Sequence, residues 1–167
     1  QAKKHYYRKN FNSAIEVLPS FENLKWNELE PALSLLILKN YKIKIESLVS
    51  LERFEEAKKS LEEKIKAFPN ILYLQSYLSN VYYKDKLYES AIKIAESLIS
   101  LHTCGISTDN QTRNCLSFAH LIIGKSKLRI SQNLDEIQDP SFFEHFKAML
   151  EYLPNDPDTR KHYIDFT

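Results

Sequence analysis

The sequence predicts an all-α fold made of antiparallel helix pairs stacked side by side, and three observations carry that prediction. Only two glycines, Gly105 and Gly124, occur in 167 residues, whereas sheets, hairpins and phosphate-cradling loops lean on glycine for positive φ or close backbone approach. Apolar residues recur at i, i+3, i+4, i+7 and i+8 in long stretches, the stripe of an amphipathic helix. The chain also repeats itself. Slid by 34 residues, Leu48 falls on Tyr82, Phe54 on Tyr88, Ala57 on Ala91, Glu62 on Glu96 and Ile65 on Ile99, each on its own kind.

Taken in order, the elements follow from local signals. A long helix is expected from about Asn27 to Leu51, where Asn27 with Glu30 forms a capping box and Pro31 sits in the first turn, which has few donors to lose. A second helix runs from about Phe54 to Phe68 and is stopped by Pro69. From Leu72 to Tyr83 the apolar positions are Leu74, Tyr77, Leu78, Val81 and Tyr82, and from Tyr88 to Leu101 they are Ala91, Ile94, Ala95, Leu98 and Ile99. The link Lys84 to Leu87 is short, so these two helices must lie antiparallel. A polar loop from His102 to Asn110 leads to a helix from about Gln111 to Ile130. Asp139 and Pro140 start another by their preference for the N-cap and first helical position. That helix is expected to bury Phe142, Phe146, Met149, Leu150 and Leu153 before Pro154 ends it, and Asp156-Pro157 opens a short last segment.

These residues resemble the tetratricopeptide repeat, a 34-residue helix-turn-helix. Its pattern of small, aromatic, aromatic, alanine and apolar positions falls on Ser79, Tyr82, Tyr88, Ala91 and Ala95 in one unit and, with its proline, on Ile45, Leu48, Phe54, Ala57, Leu61 and Pro69 in the unit before. Thr103 stands where the later unit's proline is expected, and Ile45 is larger than the family's small residue. Ala2, Phe11, Ala14 and Leu18 look like the later part of an earlier unit, nine residues further from the next than the period allows. The extra length is expected around Ser20 to Trp26 or in a longer following helix. The resemblance implies a right-handed α-solenoid forming one domain over 1–167, with repeats near 1–22, 38–70 and 71–104 and a diverged stretch over 110–154. Such hairpins cover their apolar faces only by stacking, so ends that look uncapped imply a piece of a longer array, open to self-association.

Composition excludes several functions. With 43% apolar and 27% charged residues the chain has a globular balance. Twenty-three Lys and Arg against 22 Asp and Glu leave a net charge of +1, without the surplus needed to neutralise a nucleic-acid backbone. Cys104 and Cys115 are too few for a disulfide framework or a zinc site and read as thiols of a reducing, intracellular compartment, cytoplasmic or nuclear. No apolar run approaches the roughly 20 residues that span a bilayer. His5, His102, His120, His145 and His162 include no pair at helical metal spacing, and the loop residues His102 and Cys104 lack a second pair of ligands. Glu52 to Glu63 interleave with lysines, with Glu55 and Glu62 four residues before Lys59 and Lys66, the pattern of a solvated helix face. No glycine-rich phosphate loop, nucleophile elbow or zinc-protease motif occurs, so the expectation is no enzyme, no cofactor and no metal.

A binding surface remains. In the tetratricopeptide family the first helix of each pair lines a concave groove, and the resemblance carries those positions to Lys39, Lys42, Glu46, Val49 and Ser50 in one unit and to Tyr73, Ser76, Asn80, Tyr83 and Lys84 in the next. It implies a protein-interaction scaffold, a subunit or adaptor holding a partner's peptide or helix. Tyrosines with lysines suit an extended peptide of some acidic character. An RNA-binding repeat is the alternative, opposed by the charge balance and by Glu46. A chaperone-tail clamp is opposed by Tyr73, Ser76 and Tyr77 at positions where basic residues are required.

Overall fold

In the computed structural model the residues described are 1–18, 31–100, 110–133, 141–154, 156–157 and 160–161. Among them the chain is all-α: α1 (Ala2–Tyr7), α2 (Phe11–Glu16), α3 (Pro31–Ser50), α4 (Phe54–Ala67), α5 (Leu72–Lys84), α6 (Tyr88–Ser100), α7 (Asn110–Asn133) and α8 (Ser141–Tyr152), with no strand among the described residues. The expected helices over 54–68, 72–83 and 88–101 are found to within a residue at each end. The capping box at Asn27 and Glu30, the Ser20 to Trp26 link and the loop with His102, Thr103 and Cys104 lie outside the described residues. Two compact units divide the chain, Gln1–Phe68 and Pro69–Thr167.

Three links between helices are built alike. Lys9, Glu52 and Lys86 have φ of 58°, 58° and 62°, the left-handed region that ends many helices. The amide of each donates to the carbonyl three residues back, Tyr6, Val49 and Tyr83, at 2.9, 3.0 and 3.1 Å. The following amide donates five residues back, to His5, Leu48 and Tyr82, at 3.0, 2.9 and 3.0 Å. Carbonyls that a helix end leaves orphaned are thus satisfied, and the chain reverses in three residues. Five residues past each left-handed position stands an alanine, Ala14, Ala57 or Ala91, and all three are 0% exposed. A turn that fixes the reversal and a small side chain that lets the two helices close on each other therefore recur together.

None of the three left-handed residues is glycine, so each carries a Cβ penalty of roughly 1–2 kcal/mol, partly offset by the roughly 0.5–1 kcal/mol of extra unfolded-state freedom a glycine would bring. Lys86→Gly is accordingly expected to raise stability by about 0.5–1 kcal/mol in urea unfolding, and Glu52→Gly likewise. A loss from both would mean that these turns are not left-handed.

In unit Gln1–Phe68, α3 and α4 pair across the Glu52 turn, with the Tyr41 hydroxyl 2.8 Å from Ser60 Oγ. Burial pushes the Tyr41 phenol up to about 12, against the Ser60 hydrogen bond, which lowers it. Helix α3 is 20 residues long against 13 in α5, so most of the nine-residue excess between Ala14 and Ala57 lies in a longer helix. Helix α4 opens on Glu55 and Glu56 and closes on Lys64 and Lys66, which complements the helix dipole, and Arg53 grips Glu56 through Nε and Nη2, both at 2.6 Å. The lysine face of α4 departs from expectation at one point. Glu55 pairs with Lys58 rather than Lys59, and the Lys58 side chain is only 8% exposed, its stem laid on the protein with the ammonium turned to the carboxylate.

In unit Pro69–Thr167, α5 packs on α6, α6 on α7, α5 also on α7, and α7 on α8. Ala95, Leu98, Leu116, Ala119 and Ile123 join α6 to α7. Leu121 and Leu128 of α7 meet Phe142, Phe146 and Met149 of α8. Ser117 donates to the Met149 carbonyl at 3.3 Å, His120 meets His145, Gly124 faces the Phe146 ring, and Lys127 donates to Ser141 at 3.1 Å. Residue numbers rise along α7 as they fall along α8, so the pair is antiparallel. Of the apolar residues expected inside α8, Phe142, Phe146 and Met149 are buried, while Leu150 and Leu153 are half-buried.

Candidate partner-binding site

The positions expected to meet a partner fall into two sets, Lys39, Lys42 and Glu46 on α3 of the first unit, and Tyr73, Ser76, Asn80, Tyr83 and Lys84 on α5 of the second. Lys39 is exposed. Lys42 Nζ lies 3.6 Å from Glu46 Oε1, one helical turn along, and the Tyr6 phenol of α1 hydrogen-bonds the same carboxylate. Burial, followed by the Glu46 charge, raises the Tyr6 hydroxyl above its usual value. Glu46 is thus engaged within its own unit.

On α5, Tyr73 and Tyr77 stack with ring centroids 6.0 Å apart and planes inclined by 28°. Asn80 is half-buried and Lys84 exposed. Ser76 is 3% exposed and lies among the buried residues of α5.

Tyr83 and Lys84 do come together with groups the sequence reading had not joined to them. A cleft of about 660 Å³ is lined by these two from the end of α5, Lys86 from the turn, Tyr88 and Glu89 from the start of α6, and Arg129 and Ile130 from late α7. The Tyr83 and Tyr88 rings stand 5.7 Å apart at 52°. Because the Lys86 turn fixes the α5–α6 corner, the aromatic pair and the two ammonium stems spring from a rigid base. Arg129 was missed because it lies where the 34-residue pattern fades and nothing in the sequence places late α7 beside the end of α5.

A second constellation was also missed. His120 Nδ1 of α7 lies 3.2 Å from His145 Nδ1 of α8, and Tyr152 stacks on His120 with centroids 5.6 Å apart at 25°. One imidazole donates Nδ1–H and the other accepts on its Nδ1 lone pair. A first proton can be taken on the donor ring's Nε2 with the bond kept, whereas a second must occupy the accepting lone pair and sets two cations side by side. Burial lowers the His120 value from 6.5, opposed by Glu151. The unfolded chain therefore takes up the proton more readily, so the contribution of His120 is full above pH 6.5 and is lost as pH falls through its lower folded value. Urea midpoints are expected to drop on acidification below pH 6.5, and more steeply than in His120→Asn, whose amide cannot titrate. Superimposable profiles would contradict this account.

Among the described residues no group of three or more His, Cys, Asp and Glu is placed to hold a metal ion, and Cys115 is a buried thiol of α7. No described helix is long and apolar enough to cross a membrane. No family model, no curated protein and no solved structure matches the chain.

Proposed function

We propose that this chain is a non-catalytic protein-interaction scaffold, a tetratricopeptide-like right-handed solenoid that holds a peptide or helix of a partner protein in a larger intracellular assembly. The observation that carries the reading is the threefold recurrence of one turn, left-handed at Lys9, Glu52 and Lys86 and followed five residues on by a fully buried alanine. A unit of that kind stacks because a single hairpin cannot cover its own apolar faces. Exposed and half-buried side chains on the first helix of each pair are then what a partner meets: Lys39 and Lys42 on α3, and Tyr73, Asn80, Tyr83 and Lys84 on α5. Tyrosines at such positions supply large contact area at small entropic cost.

The test is capture of partners by the chain, repeated with Tyr73→Ala and Asn80→Ala. Both variants are expected to lose the captured set while the circular dichroism stays helical. A Tyr73→Ala chain that unfolds would assign that residue to the core and remove it from the binding surface, and variants that keep the whole captured set would sink the reading.

A further inference from the structure

We infer that the cleft at the α5–α6 corner takes an acidic peptide segment of the partner, an inference that rests on the scaffold reading and supplies the chemistry of its ligand. Three cations, Lys84, Lys86 and Arg129, line this cleft against one carboxylate, Glu89, in a chain whose net charge is only +1. Some basic side chains elsewhere, Lys42, Arg53 and Lys58, have a carboxylate partner, Glu46, Glu56 and Glu55. Among the described residues Lys84 and Lys86 have none. Arg129 Nη1 donates to Gln132 at 3.2 Å, which steadies the guanidinium and leaves other N–H groups of its fork for a carboxylate.

Tyr83, Tyr88 and Ile130 line the cleft together with these charges. A ligand that matches the whole surface therefore carries Asp or Glu next to an aromatic or aliphatic residue, so that its carboxylates meet the three cations while its apolar group lies on the rings. Polyphosphate backbones match it less well, since Glu89 stands at the cleft and the chain as a whole carries no cationic surplus.

Selection of a random decapeptide library on the whole chain tests the inference. Selected peptides are expected to be enriched in Asp and Glu beside aromatic or aliphatic residues. A synthetic copy of the strongest is expected to bind about tenfold more weakly to Arg129→Glu and to Lys86→Glu, to weaken with added salt, and to bind unchanged to Lys93→Glu, an exposed lysine of α6 outside the cleft. Lys86→Glu should fold, because Glu52 already holds the same left-handed turn position. Selection of peptides without acidic enrichment, or equal losses from Lys93→Glu, overturns the acidic-peptide cleft and leaves the scaffold reading standing. A library that yields no binder overturns the acidic-peptide cleft and leaves the scaffold reading to the capture experiment. Displacement of the peptide by single-stranded RNA at equal or lower concentration would reassign the cleft to nucleic acid.

Discussion

Phe146→Ala is expected to lower the stability of unit Pro69–Thr167 by about 3–5 kcal/mol, the range for deleting a fully buried phenylalanine. Its ring is 0% exposed, lies edge-on to Phe142 at a centroid distance of 6.0 Å, and fills the space left by Gly124, where a Cβ would come within 3.0 Å of it. Glycine at 124 costs α7 roughly 1 kcal/mol of helix propensity relative to alanine. What it brings in return is the close approach that seats the ring. Urea unfolding followed by circular dichroism reads the effect. A loss below about 1 kcal/mol would mean that α8 is not seated on α7 through this ring. Gly124→Val should damage the same contact from the other side, because its Cβ alone would come within 3.0 Å of the ring.

Ala91→Trp is the second large effect. Ala91 is 0% exposed at the start of α6, and its amide donates to the Leu87 carbonyl at 3.0 Å, in the first turn after the left-handed residue. A tryptophan there has to push α6 away from its neighbours or leave its rotamer wells, and overpacking of this kind costs at least about 1–3 kcal/mol. Ala57→Trp stands at the equivalent place in the preceding pair and should cost a comparable amount if the two pairs are built alike. A melting temperature for Ala91→Trp equal to that of the unsubstituted chain would contradict the close helix contact, and an effect at 91 without one at 57 would contradict the equivalence.

Much of the helical framework was legible because its signals are local. Pro69 ends α4, the stripe from Leu74 to Tyr82 marks α5, and the 34-residue offset lays Ala57 on Ala91. The left-handed turns were within reach of the same offset, which also lays Glu52 on Lys86, but no glycine or asparagine stands at Lys9, Glu52 or Lys86 to announce a positive φ. The candidate site was legible only where it lies on one helix, as with Tyr83 and Lys84. Arg129 reaches them through the packing of α7 on α5, and His120 of α7 reaches His145 of α8, 25 residues further on in sequence, distances over which neither spacing nor periodicity speaks. The burial of Ser76 was not legible either. A family position predicts which face of α5 it occupies, yet the burial of that face depends on neighbours that the position does not specify. Lys58 went astray for a related reason, since a lysine among glutamates reads as solvated whether or not its stem lies against the protein.

Backbone dihedral angles of Lys9, Glu52 and Lys86 in solution, measured by nuclear magnetic resonance, bear most directly on the repeating hairpin. Left-handed φ at all three, with helical values on both sides of Glu52 and Lys86, is the predicted result. Right-handed helix running unbroken from Leu48 to Ala57 or from Tyr82 to Ala91 would contradict it, and with it the scaffold built on that unit.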